Sequence, residues 1–264
     1  MEETQQKAIE SLAKLLPDIY KDIAQPSVQS LGKALGNTVR FCTLPFTALG
    51  TLDDMAKANL THHLEEYKKK LEKISVEKIT EVPPQLGVPV LLKLSYTTNE
   101  EIAQLYTSLL ATASNQDTAD KAHPGFESII SQLSPDEARI IQYLNNHPYI
   151  EYAELKGYPV DVSGYDTYFE RSTLIPYRVK LDFKENIKAY FANLIRLGIL
   201  VDMLSVFKMH SKDYELIREK YNFRLIEECV PKIFKNVIPV KSYYDVTPFG
   251  SMFIKACTGN NTEE

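Results

Sequence analysis

Asp182-x-Lys184, preceded by Asp161 or Asp166, is the arrangement in this chain that comes nearest to catalysis. An acid followed by acid-x-Lys on a strand can hold Mg²⁺ between its carboxylates while the lysine steadies the attacking water. Such triplets recur by chance, so a metal-dependent nuclease stands only as a minor alternative. The ribonuclease pattern of an arginine closely followed by histidine on one helix is not met. Arg139 and His147 are too far apart, and a helix end falls between them.

His62 and His63 are adjacent, so on a helix they diverge by about 100°. They lack the i, i+4 partner of a helical zinc site and read as surface histidines. His123 and His147 each precede a proline at an element boundary, a structural placement. His210 has no acidic or cysteine neighbour in sequence. Gly32-Lys33-Ala34 lacks the leading glycine and the hydroxyl residue of a phosphate-binding loop, and no GxSxG elbow is present. Cys229 and Cys257 sit on apolar helical patterns without an activating base, which makes them inert core thiols. The expectation is therefore a non-enzymatic protein, with no catalytic residue, no metal and no cofactor.

The elements that would position these residues are mainly helices. Ile9, Leu12, Leu15, Leu16, Ile19 and Ile23 recur at helical spacing, interrupted by Pro17, and Pro26 opens a further helix towards Gly32 and Gly36. Leu60, Leu64, Tyr67, Leu71 and Ile74 form the clearest apolar stripe. Glu65, Glu66, Lys68, Lys69 and Lys70 then fill a solvated face. Pro83, Pro84 and Pro89 place a turn over Glu81–Val90 before a short apolar helix. Thr98 with Glu101 reads as a capping box for the helix through Ile102, Leu105, Tyr106, Leu109 and Leu110. The polar stretch Ser114–Asp120 marks a soft boundary.

The second half opens on Ser134-Pro135-Asp136-Glu137, a capping box with proline at the first helical position. The helix that follows stops at His147-Pro148, and Tyr152–Leu155 reads as a short helical segment. Ala189, Tyr190, Leu194 and Leu197 define another helix, closed by Gly198, with Ile199-Leu200-Val201 as a strand. Tyr243–Val246 is a second strand, leading through Thr247-Pro248-Phe249-Gly250 into a last helix. Between the strands, Lys212–Lys235 has a helical pattern. This order gives a mainly α protein: a helical domain over 1–122, then a winged-helix-like domain over 123–257. A helical segment is inserted at about 203–240, and 258–264 is a polar tail.

The 264 residues carry a formal charge of −5. Residues 123–257 contain 17 basic and 17 acidic side chains, which gives no net attraction to phosphate. Lys184, Lys188 and Arg196 are nevertheless the candidate contacts to nucleic acid or to a partner. Three scattered cysteines suit a reducing cytoplasm. The acidic Met1-Glu2-Glu3 does not resemble a secretory signal, and Val39–Leu52 is too short to span a bilayer. Peripheral membrane contact through residues 36–52 remains an alternative.

Several segments in order resemble the Abi-alpha family, bacterial proteins associated with abortive infection. They are Ile19–Pro26, Val82–Pro84 with Gly87–Pro89, Leu105–Ala111, His123–Phe126, Leu133–Ala138, Leu197–Ile199 and Thr247–Gly250. The resemblance implies a bacterial antiviral protein and supplies no catalytic residues. Joined to the missing motifs, it gives an expectation of action through macromolecular contacts, with a protein partner or self-association. The alternatives are a transcriptional regulator reading DNA through Lys184–Arg196 and a membrane-acting effector.

Overall fold

The computed structural model describes residues 26, 28–36, 38, 54–160, 163–229 and 233–259. The first helical pattern, the Val39–Leu52 stretch, Cys42 and Asp161 lie outside them. Within them the protein is largely helical with one four-stranded antiparallel sheet. It divides into two units, Met1–Ala138 with Met252–Glu264, and Arg139–Ser251.

In the first unit, the Asp54–Leu71 helix packs on the helices Pro84–Tyr96 and Glu100–Ala113. Its steps of four and three bury Leu60, Leu64, Tyr67 and Leu71, as the periodicity requires. Ile74 falls beyond the helix end and is half-buried. The expected turn over Glu81–Val90 is shorter than its prolines suggest, because the helix already opens at Pro84 and continues through Pro89. Pro84 costs nothing at the first position. Pro89 costs a helical hydrogen bond, about 3 kcal/mol, which the burial of Leu86, Val90, Leu91 and Leu94 offsets.

The cap of the next helix is also displaced by one residue. Asn99, not Thr98, accepts from the Ile102 amide at 3.1 Å, since asparagine caps at least as well as threonine. The chain's last helical residues close this unit. Phe253 meets Phe126 edge-on at 5.1 Å, and Thr112 Oγ1 donates to the Ala256 carbonyl at 2.8 Å. Cys257 is buried there, as its apolar pattern suggests.

The second unit is built on the sheet. Its strands are β1 (Tyr149–Pro159), β2 (Asp166–Thr173), β3 (Leu200–Asp202) and β4 (Phe234–Val246), in the spatial order β2-β1-β4-β3. Two sequence readings are corrected here. Tyr152–Leu155 lies in β1 and is not helical, because it pairs along its length with both β2 and β4. The inserted segment is helical only over Asp213–Lys220 and Phe223–Glu228. From Phe234 it joins the sheet, extending the strand expected at Tyr243–Val246. Cys229, expected in a core, is exposed at the end of the second inserted helix.

Alternation along β1 divides the sheet into two faces. Ala153 and Leu155 point to one side, where Leu174 and the inserted helices' Ile217 and Phe223 cover them. Tyr152, Glu154 and Lys156 point to the other.

The helix Ile187–Arg196 ends in a Schellman motif. Gly198, at φ 74°, donates to the Ile195 carbonyl at 2.9 Å, and Ile199 donates to Leu194 at 2.9 Å. Thr247 locks onto this turn. Its amide donates to the Ile199 carbonyl at 3.0 Å and its Oγ1 donates to Gly198 at 2.5 Å, while the same Oγ1 accepts from Gly250 N at 2.8 Å. A Cβ on Gly250 would lie 2.2 Å from the Ile199 carbonyl oxygen, so the Leu-Gly and Thr-Pro-Phe-Gly segments require each other.

Candidate functional site

The polar face of the sheet and the helix Ile187–Arg196 enclose a cleft of about 390 Å³ in the second unit. At its centre, Arg171 of β2 is 35% exposed and is held from three sides. Its Nε donates to Glu154 Oε2 at 3.3 Å, its Nη1 donates to Asp202, and its guanidinium lies 4.8 Å from the centre of the Tyr152 ring. Tyr152 OH donates to the other Asp202 oxygen at 2.7 Å. Tyr244 completes the floor, stacked at 4.6 Å on Phe191 of the helix.

Burial alone would lower the arginine's pKa. The bond to Tyr244 and the field of the Asp202 carboxylate more than offset it, so Arg171 stays cationic. Burial pushes the Tyr152 and Tyr244 phenols above their ordinary range, so both remain neutral, Tyr152 donating to Asp202 and Tyr244 accepting from Arg171. At the rim, Lys156 lies 3.4 Å from Glu154 and over the Tyr165 ring, and Lys188 pairs with Glu170. Three cations thus meet three carboxylates, Glu154, Glu170 and Asp202. Among the described residues lining the cleft there is no histidine or cysteine. The arrangement is suited to orienting a bound group by hydrogen bonds and aromatic contact.

Of the expected contact residues, Lys188 and Arg196 are exposed on the helix Ile187–Arg196 with Ala192 midway between them, and Lys184 is exposed in the short 3-10 turn that precedes it. Lys188 and Ala192 line the cleft. Arg196 is held by Asn193 through Nη2 at 2.7 Å. Beside this face runs a loop after β3 with exposed apolar side chains, including Leu204 at 64%, Val206 at 51% and Met209 at 79%. Leu204 and Ser205 form part of the cleft wall.

The acid-x-Lys reading finds no geometric support among the described residues. Asp182 lies in a loop, not on a strand, and accepts from Arg139 at 2.8 Å. Asp166 accepts from the adjacent Thr167 amide. The cluster of three potential metal-ligating side chains found among the described residues is elsewhere, at His62, His63 and Glu100. His63 is buried, contrary to the surface reading, because its Nε2 donates to the Thr97 carbonyl at 2.9 Å. His123 and His147 are structural, as their positions suggest. His123 Nδ1 accepts from Gly125 N at 3.0 Å, and the His147 ring stacks on Tyr143 at 4.0 Å.

Arg171, Glu154, Asp202, Tyr152 and Tyr244 escape a motif search. One signal for them exists, the step of two in Tyr152, Glu154 and Lys156 after a His-Pro stop, which is a strand period.

Fold and cleft together define a largely helical protein with a four-stranded antiparallel sheet, one face of which is walled by a helix. The chain belongs to the family described as abortive infection alpha, which matches residues 59–257. Abortive infection is a bacterial defence against phage. No curated protein matches the chain. A solved structure of an uncharacterized protein from the hydrocarbon-degrading marine bacterium Alcanivorax borkumensis SK2 is similar at 17% identity with a TM-score of 0.35. The match covers 54% of this chain and 96% of that one. Among the described residues, no helix is long and apolar enough to cross a membrane.

Proposed function

We propose that the protein serves phage defence as a non-enzymatic contact protein, with a protein partner docking across the cleft and the Leu204–Met209 loop. The observation that carries this reading is the continuity of Ala192, Leu204 and the exposed apolar loop beside cations that are already matched. Apolar area with a charge-neutral polar rim is the pattern of a protein interface. A phosphate backbone would instead require unmatched cations.

The second unit is read as an elaborated winged helix. The chain order of helix Pro135–Leu144, β1, helices Ile175–Arg178 and Ile187–Arg196, β3 and β4 supports this, as does the adjacency β1-β4-β3. The β1–β2 hairpin and the inserted helices are its elaborations. A fold of this kind does not by itself assign DNA binding.

The test is protection of bacteria against phage by full-length variants whose melting temperatures match the parent. Ala192→Trp, which fills the cleft, and Leu204→Glu, which charges its wall, are expected to abolish protection. Loss of one central interface anchor weakens binding about 30-fold. Lys184→Glu with Arg196→Glu, and Asp182→Asn with Lys184→Met, are expected to retain protection. Retention by the first pair of variants overturns the docking reading. Loss in the Lys184→Glu/Arg196→Glu variant favours DNA, and loss confined to Asp182→Asn/Lys184→Met favours a nuclease.

A further inference from the structure

The helix Asp54–Leu71 and the first residue of the helix Glu100–Ala113 bring His62, His63 and Glu100 together in the first unit. One ring nitrogen of each histidine and one Glu100 oxygen all lie within 4.8 Å of one another. His62 Nε2 is 3.1 Å from Glu100 Oε1. Adjacent ligands of a tetrahedral zinc ion, with bonds of 2.0–2.1 Å, stand ~3.3 Å apart. His63 is fixed independently. Because a carbonyl can only accept, its Nε2 carries the hydrogen donated to Thr97, which makes Nδ1 the nitrogen of this ring that can ligate a metal. A ring nitrogen anchored on a backbone carbonyl is the usual outer support of a metal-bound histidine. Glu100 is the first residue of its helix and its side chain is exposed.

We propose that His62, His63 and Glu100 form a binding site for a divalent transition metal, with zinc as the fitting ion, which ties the two helices together. Two imidazoles and one carboxylate are the ligand set of a three-residue zinc site that leaves the fourth position to water. The ion takes the place of the direct contact between His62 Nε2 and Glu100 Oε1. Their side chains are 56% and 57% exposed, so the site opens to solvent and the two can close on an ion by side-chain rotation alone. Imidazole ligands also discriminate against magnesium and calcium, which require oxygen.

Untagged, metal-free full-length protein is titrated with ZnCl₂ and followed by thermal melting. An excess of 100 times the dissociation constant is expected to raise the melting temperature by about 5 °C, and MgCl₂ is expected to leave it unchanged. Cobalt(II) is expected to give visible ligand-field bands without a thiolate charge-transfer band. His62→Ala and Glu100→Gln each remove the zinc shift and the cobalt bands, while their metal-free melting stays within about 2 °C of the parent, as exposed positions allow. His63→Gln, which keeps a donor for Thr97, likewise loses zinc. A parent without a zinc shift overturns the proposal, as does a shift that survives in the His62→Ala/Glu100→Gln double variant. Cys229→Ser, which removes the exposed thiol, is expected to keep the full response; its loss assigns the binding to that cysteine and overturns the proposal.

Discussion

Lys70 lies on the Asp54–Leu71 helix in what reads as a run of solvated charges, yet its ammonium is half-buried. It donates to Ser108 Oγ at 2.5 Å, and burial pulls its pKa down to about 8, against the opposing field of Glu66. A lysine whose folded pKa is depressed costs stability wherever both states are charged, which here means below about pH 8. That cost is released as pH rises from about 8 towards the unfolded value near 10.4. The parent is therefore expected to gain on the order of 2 kcal/mol over that window relative to Lys70→Met. Denaturation of the two proteins at pH 7 and pH 10.5 measures it, and parallel pH profiles would refute it.

Arg171 gives the second prediction at this scale. Its three-sided support uses the planar fork, which lysine lacks. Arg171→Lys is expected to lower stability by about 1–2 kcal/mol, discounted for its partial exposure. Denaturant titration checks this, and an unchanged midpoint would show that the fork is dispensable. Neither residue's role is legible from its neighbours in sequence. Lys70 acquires its environment from Ser108 and Cys257, and Arg171 from Asp202 on another strand.

Elements were legible where local chemistry decides them. Ser134 and Glu137 form the reciprocal bonds of a capping box, with Ser134 N donating to Glu137 Oε2 at 2.7 Å and Glu137 N donating to Ser134 Oγ at 3.3 Å. Gly198 ends its helix as a left-handed glycine should. β1 was only faintly legible, because beside the step of two in Tyr152, Glu154 and Lys156 the segment Tyr149–Pro159 mixes charged, aromatic and apolar residues on its two faces. Its pairing with β4, Tyr149 opposite Asp245, settles the conformation from a distant part of the chain. The joint at Gly250 provides a sharp test. Gly250→Ala forces Ile199 and Thr247 apart and is expected to cost about 2–3 kcal/mol. Gly198→Ala pays only the left-handed penalty, about 1–2 kcal/mol. Thermal melting that ranks the two in the opposite order would place the strain elsewhere.

At the scale of the whole molecule, the balanced charge of residues 123–257 was readable from composition and agrees with the pairing seen around the cleft. The placement of the insertion was not readable, since nothing local says which face of a sheet two short helices will cover. They cover Ala153 and Leu155, with Phe223 fully buried at the centre. Phe223→Ala is expected to cost about 3–4 kcal/mol and to raise binding of an apolar dye, because the cover would loosen from the sheet. A stability loss without dye binding would mean that the inserted helices stay seated.

The long β1–β4 pairing also dictates an order of assembly. During synthesis β1 can zip against β2 as soon as both have left the ribosome, but β4 emerges only after the whole insertion has been made. Until then the inner edge of β1 presents free amides and carbonyls, and Ala153 and Leu155 stay uncovered until the inserted helices with Ile217 and Phe223 have been made. Such an edge recruits whatever extended chain is nearest. The nascent protein therefore passes through a window in which crowding with its own copies is hazardous, and fewer chains made at a time, each elongated without delay, favour the native pairing.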